Sequence, residues 1–152
     1  MWNPWKKRPQ DEKFSAREVT VNPAWVPPPD LVFQYLLERS AEGAVPVYFG
    51  SIPLARVRPF SESFHPENTP GGPDVVEQIM ERWRTGDFKK IWVYERGNAF
   101  ICSDDYFTLA AVRIGQPDFV PAWILGRPIV TVKDLQGPIT VQGVRKMLNL
   151  TD

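Results

Sequence analysis

The sequence predicts an α+β domain, a small mixed sheet with helices packed on it, preceded by a proline-rich N-terminal arm. Apolar residues recur at helical spacing in three stretches that each end at a glycine, and short β-branched and aromatic runs lie between them. Pro4, Pro9, Pro23, Pro27, Pro28 and Pro29 crowd the first thirty residues, where each removes a backbone donor and fixes one dihedral. The chain has 152 residues and 43% hydrophobic side chains, among them nine Phe, six Trp and four Tyr. That length suits one domain, because domains cluster near roughly 100 to 150 residues, and it buries about 70% of the unfolded surface. Global disorder is excluded.

Residues 1–29 read as an extended arm whose Trp2, Trp5, Phe14 and Trp25 pack along the body of the domain, with a partner surface as the alternative. The core is expected over residues 30–133 and a C-terminal helical extension over 134–152. The first helix spans Asp30 to Glu42: Asp30 caps it after three prolines, Leu31, Val32, Tyr35, Leu36 and Leu37 form its apolar stripe, and Gly43 stops it. Val45 to Arg58 breaks into short apolar pieces around Gly50 and suits an extended segment or edge strand better than a helix, with two strands plausible. Pro59 to Pro73 is loop, since its prolines deny helix and ladder the donors they need.

Asp74 and Glu77 have the spacing of a capping box for a second helix, with Val75, Val76, Ile79, Met80 and Trp83 as its stripe and Gly86 at its end. Lys90 to Glu95 and Ala99 to Cys102 form a hairpin around Arg96-Gly97-Asn98. Ser103 or Asp104 caps a third helix closed by Gly115, and Phe119 to Leu125 is a strand that Pro121 places at an edge or strand end. Ile129 to Val132 is a candidate last strand, and Thr140 to Leu148 a short helix weakened by Gly143.

Eighteen Lys and Arg balance eighteen Asp and Glu, so no whole-molecule field draws the chain to a polyanion, and any such site must be local. One cysteine closes no intramolecular disulfide, and one histidine with it cannot complete a four-ligand zinc shell, so no metal is expected. The basic run Lys6-Lys7-Arg8 is not followed by a signal-length apolar stretch, and no run reaches the roughly 20 residues that cross a bilayer. The cytoplasm is the expected compartment, with no membrane association.

The order of pieces resembles a known superfamily. Ile52-Pro53-Leu54, Val57-Arg58-Pro59, a loop, a helix, a hairpin, Asp104 with a helix beginning at once, Leu109-Ala110-Ala111, Gly115 and Val120-Pro121-Ala122 together resemble the N-terminal domain of ParB-type partition proteins and the related sulfiredoxin fold. The resemblance covers about Val47 to Leu125. It implies a nucleotide cleft lined by Arg56, Arg58, Ser103, Asp104, Asp105, Tyr106 and Thr108, with phosphate held at the start of the third helix. At the phosphate turn, where the superfamily has glycine, two basic or histidine positions and arginine, this chain has Asp105, Tyr106, Phe107 and Thr108. A carboxylate about 4 Å from a phosphate, at an effective dielectric near 20, opposes it by about 4 kcal/mol before screening. The turn is therefore read as degenerate.

Sulfiredoxins use a cysteine in this region, but their position falls on Tyr106, and Cys102 alternates within its strand as a packed core residue. His65 could shuttle a proton with Glu67; a plain loop histidine is the simpler assignment. Arg82, Arg84, Lys89 and Lys90, interleaved with Trp83 and Phe88, have the composition of a single-stranded nucleic-acid surface, although Trp83 sits on the apolar stripe. No nucleophile elbow or Gly-rich phosphate loop is present. The leading expectation is a noncatalytic interaction or regulatory module, a pseudoenzyme without cofactor that holds a protein partner. The alternatives are a divergent nucleotide-binding phosphotransferase or nuclease, which would take nucleotide with magnesium, and single-stranded nucleic-acid binding.

Overall fold

The computed structural model describes residues 28–62, 65–66 and 70–150, so the arm expected over residues 1–29 lies almost wholly outside it, as do Glu67 and Asn68. The elements run α1 (Leu31–Ala41), β1 (Val47–Pro53), a 3-10 turn (Leu54–Arg56), β2 (Val57–Pro59), α2 (Gly72–Arg84), β3 (Ile91–Arg96), β4 (Ala99–Cys102), α3 (Tyr106–Gly115), β5 (Phe119–Leu125), β6 (Lys133–Gln136) and α4 (Val141–Met147). The fold is α+β: one six-stranded mixed sheet in the order β2-β4-β3-β5-β1-β6, with β2∥β4 and β3∥β5 parallel and the other neighbours antiparallel.

Side chains alternate across a strand, and here each face contributes to a buried core. One face sends Ile52, Val93, Phe100 and Ile124 under Tyr106, Leu109 and Val112 of α3. On the far side of α3, Ala110 and Ala111 take Val75, Val76 and Ile79 of α2. The opposite face sends Val47, Tyr94, Ile101 and Leu125 against Phe33 and Leu37 of α1 and Val144 and Leu148 of α4. Residues 134–136, placed by the sequence in an extension, therefore lie in β6 beside β1, and α4 packs in the same layer as α1.

Asp30 caps α1 as its position predicts, its Oδ1 accepting from the amides of Val32 and Phe33 at 3.1 Å each. Its second oxygen accepts from the Tyr94 phenol at 2.6 Å, which anchors the helix to β3 and sets its rotation. That rotation corrects the expected stripe. Phe33, Leu37 and Ala41, an equally good i, i+4, i+8 set, are the buried residues, whereas Leu31, Val32 and Tyr35 face solvent.

Four other expectations are corrected. The start of α2 is not a capping box: the N-cap is Gly71 at φ 82, Pro73 occupies the first turn, and Asp74 is already helical, because a proline's fixed φ is suited to that turn. Gly115 is the last residue of α3 and Gln116 takes the left-handed position at φ 52. A Cβ on Gly115 would lie 3.0 Å from Trp83 Cζ3, so this glycine serves the α2–α3 contact. Pro121 lies in an internal strand. The β3 ladder begins only at Ile91 opposite Ala122, so the donor Pro121 lacks has no β3 partner to serve. Finally, the last strand is Lys133–Gln136 and not Ile129 to Val132. The Glu95 carboxylate accepts from the amides of Ile129 at 2.7 Å and Val130 at 2.9 Å, which holds that segment as a loop.

Candidate functional site

The β4–α3 junction is where the resemblance places the chemistry. β4 ends at Cys102, Ser103 and Asp104 carry the chain onward, and α3 begins at Tyr106 with Asp105 as its cap, in place of the expected Ser103 or Asp104. Free amides at a helix start attract negative charge. Here Asp105 supplies it from within: Oδ1 accepts from the Thr108 amide at 3.0 Å and Oδ2 from the Thr108 hydroxyl at 2.6 Å. Lys89 Nζ lies 2.7 Å from the same Oδ2, out of hydrogen-bond alignment, so that contact is an ion pair held by charge. Asp105 is 1% exposed and Thr108 0%.

The surrounding groups are structural in the same sense. The Tyr106 phenol accepts from the Ser61 amide at 2.8 Å, tying the chain after β2 to α3, and burial pushes its pKa up to about 12. Burial likewise pushes the Cys102 thiol up to about 12, so at neutral pH it is a protonated core side chain and a poor nucleophile. Ser103 is buried and its hydroxyl has no hydrogen-bond partner among the described residues, while Asp104 is half-buried. Ser103, Asp104, Asp105, Tyr106 and Thr108 are thus together.

Arg56 and Arg58 do not join them. Arg56 Nη1 donates to the Asn98 carbonyl at 2.9 Å, and Arg58 Nη1 donates to the carbonyls of Ala55 at 2.7 Å and Val57 at 2.9 Å. Arg58 also leaves β2 on the face opposite Val57, and Val57 packs on the α3 side. No group of three or more His, Cys, Asp or Glu arranged for a metal occurs among the described residues. His65 is exposed, and its proposed companion Glu67 lies outside the described residues.

The basic cluster predicted as a nucleic-acid surface is dispersed. Arg82 pairs with Asp87 at 2.7 Å, Arg84 with Glu81 and with Glu77 at 3.4 Å, and Lys89 with Asp105. Trp83 is packed against Gly115. Only Lys90 turns elsewhere, its Nζ lying 5.4 Å from the Phe49 ring centre and 5.8 Å from that of Trp123.

Around Lys90 is a site that sequence reasoning missed. Phe49 and Trp123 are opposite each other in the β1–β5 ladder, with rings 4.8 Å apart, and Trp92 stands 6.1 Å from Trp123. Beside them a shallow basin of about 440 Å³ is lined by Ser51, Asp87, Phe88, Lys90, Phe119 and Pro121. Lys133 Nζ lies 4.9 Å over the Phe119 ring. The signal was the alternation Phe49, Ser51 and Phe119, Pro121, Trp123, which becomes a surface only once β1 and β5 are paired.

No protein-family model, no curated protein and no solved structure matches this chain. No helix among the described residues is long and apolar enough to cross a membrane.

Proposed function

We propose that this chain is a noncatalytic interaction or regulatory module of the ParB/sulfiredoxin type, working in the cytoplasm on a protein partner, with its ancestral nucleotide cleft stopped. One observation carries the reading. The place a phosphate would take at the start of α3 is filled by the chain's own Asp105 carboxylate, which uses the Thr108 amide and hydroxyl and is neutralised by Lys89. A phosphate arriving there meets a buried negative charge, and the cation that could have held it is already engaged. Arg56 and Arg58, the other cations of the expected cleft, are bound to backbone carbonyls.

The test is calorimetry of the full chain with ATP, CTP and ADP, each with magnesium. The reading expects no heat of binding in the submillimolar range. Clear binding that Arg58→Ala abolishes would replace it with the divergent phosphotransferase or nuclease reading.

A further inference from the structure

We propose that the helix-free part of the sheet face carrying Phe49, Trp123 and Phe119 binds single-stranded nucleic acid, with Lys90 and Lys133 as its phosphate contacts. This goes beyond the interaction-module reading and does not depend on the α3 turn.

The face is built by register. Phe49 opposes Trp123, Ser51 opposes Pro121 and Pro53 opposes Phe119, so alternate residues of two internal strands put their side chains on one side. α1 and α4 cover the end of that side where Val47 and Leu125 lie, and the other end opens into the basin. Phe88 and Phe119 at its walls are 52% and 43% exposed. Aromatic side chains left this open at a sheet surface are what a base needs for stacking.

The cations differ from the others nearby. Arg82, Arg84 and Lys89 each have a carboxylate partner, whereas Lys90 and Lys133 have none within 4.0 Å among the described residues and rest over rings. Asp87 lines the basin too, and its charge is met by Arg82 at 2.7 Å, which leaves Lys90 and Lys133 to meet a ligand. A phosphate is a stronger partner for an ammonium than a phenyl face is, so an incoming strand draws the lysines off and leaves the rings for its bases. An acidic peptide would use the two lysines but offer nothing flat to the rings. Phe119 and Trp123 are four residues apart in β5, about 13 Å, which suits a short strand segment. With no net charge on the chain, the affinity rests on local contacts.

The experiment is fluorescence anisotropy of a labelled oligothymidylate octamer, a length within the roughly 4 to 16 nucleotides that one small module covers, titrated with the full chain. Two phosphate contacts on a single strand predict a log–log salt slope of about −1.4. Lys90→Gln with Lys133→Gln brings the slope near zero. Phe119→Ala weakens binding about tenfold and leaves the slope unchanged, because stacking releases no counterions. All three positions are exposed, and unchanged near-ultraviolet circular dichroism verifies that the variants fold. Absence of binding at roughly 20 mM salt overturns the proposal, as does binding that the double lysine variant leaves intact. Displacement of the octamer by an equal concentration of octaglutamate overturns it in favour of an acidic protein segment.

Discussion

Replacing Asp105 by alanine removes three interactions at once. The α3 amide of Thr108 loses its cap, a change that costs about 0.5 to 2 kcal/mol at other helix starts. The Thr108 hydroxyl, with no exposed surface, loses the acceptor at 2.6 Å, and an orphaned buried donor costs about 1 to 3 kcal/mol. Lys89 loses its counter-ion; a fully buried charge left alone costs about 3 to 5 kcal/mol, but an 18% exposed side chain recovers part of that from water. These terms share one carboxylate and do not add, and a total of about 4 kcal/mol is the working figure. For a chain of this size it lowers Tm by about 8 to 16 °C. Asp105→Asn keeps the cap and loses the charge, so its cost is about half, and adding Lys89→Met restores part of the loss. Urea denaturation followed by circular dichroism measures all three. An Asp105→Ala midpoint indistinguishable from that of the parent, at unchanged m-value, would refute the assignment of this carboxylate to the fold.

Other expectations follow from single contacts. Tyr94→Phe removes the donor to Asp30 Oδ2 while leaving the α1 cap in place, and costs about 1 to 3 kcal/mol by urea midpoint. Cys102 and Tyr106 have folded pKa values raised by burial to about 12, so above pH 9 the unfolded chain loses protons that the folded chain keeps. Stability then falls with rising pH, by up to about 1.4 kcal/mol per unit per group until the folded pKa is reached. Cys102→Ala removes the part of that loss beginning near pH 9, which pH-dependent denaturation reads directly. Gly50→Ala drives a methyl into Val132 Cγ1 and disturbs the β1–β6 contact; its expected cost is about 1 to 3 kcal/mol, read as a lowered Tm.

Much of the fold was legible because local chemistry and tertiary packing agree. Asp30 after three prolines marks α1, Gly97-Asn98 joins β3 to β4 as a two-residue hairpin, and Phe119–Leu125 is a strand end to end. The failures lie where a distant partner decides. Tyr94, 64 residues from Asp30, holds the end of α1 whose buried side is Phe33 and Leu37. Glu95 keeps residues 129 and 130 out of the sheet, although their composition suits a strand. Asp105 was visible in the sequence as a charge unfavourable to an anion at this helix start. That this charge is satisfied required Lys89, whose sequence neighbourhood read as a basic patch. The aromatic face was invisible for the same kind of reason, since its rings come from β1, β3 and β5, and its lysines from the residue before β3 and the first residue of β6.

Whether a phosphate reaches the amides at the start of α3 is read from nitrogen–proton correlation spectra, which report on each amide separately. Titrated with ATP and magnesium, the Thr108 amide, bonded to Asp105 at 3.0 Å, is predicted to stay where it is, and so is that of Leu109, which donates to the Asp105 carbonyl. A saturable shift of both in the submillimolar range would place a phosphate on the helix and show the cleft open to nucleotide.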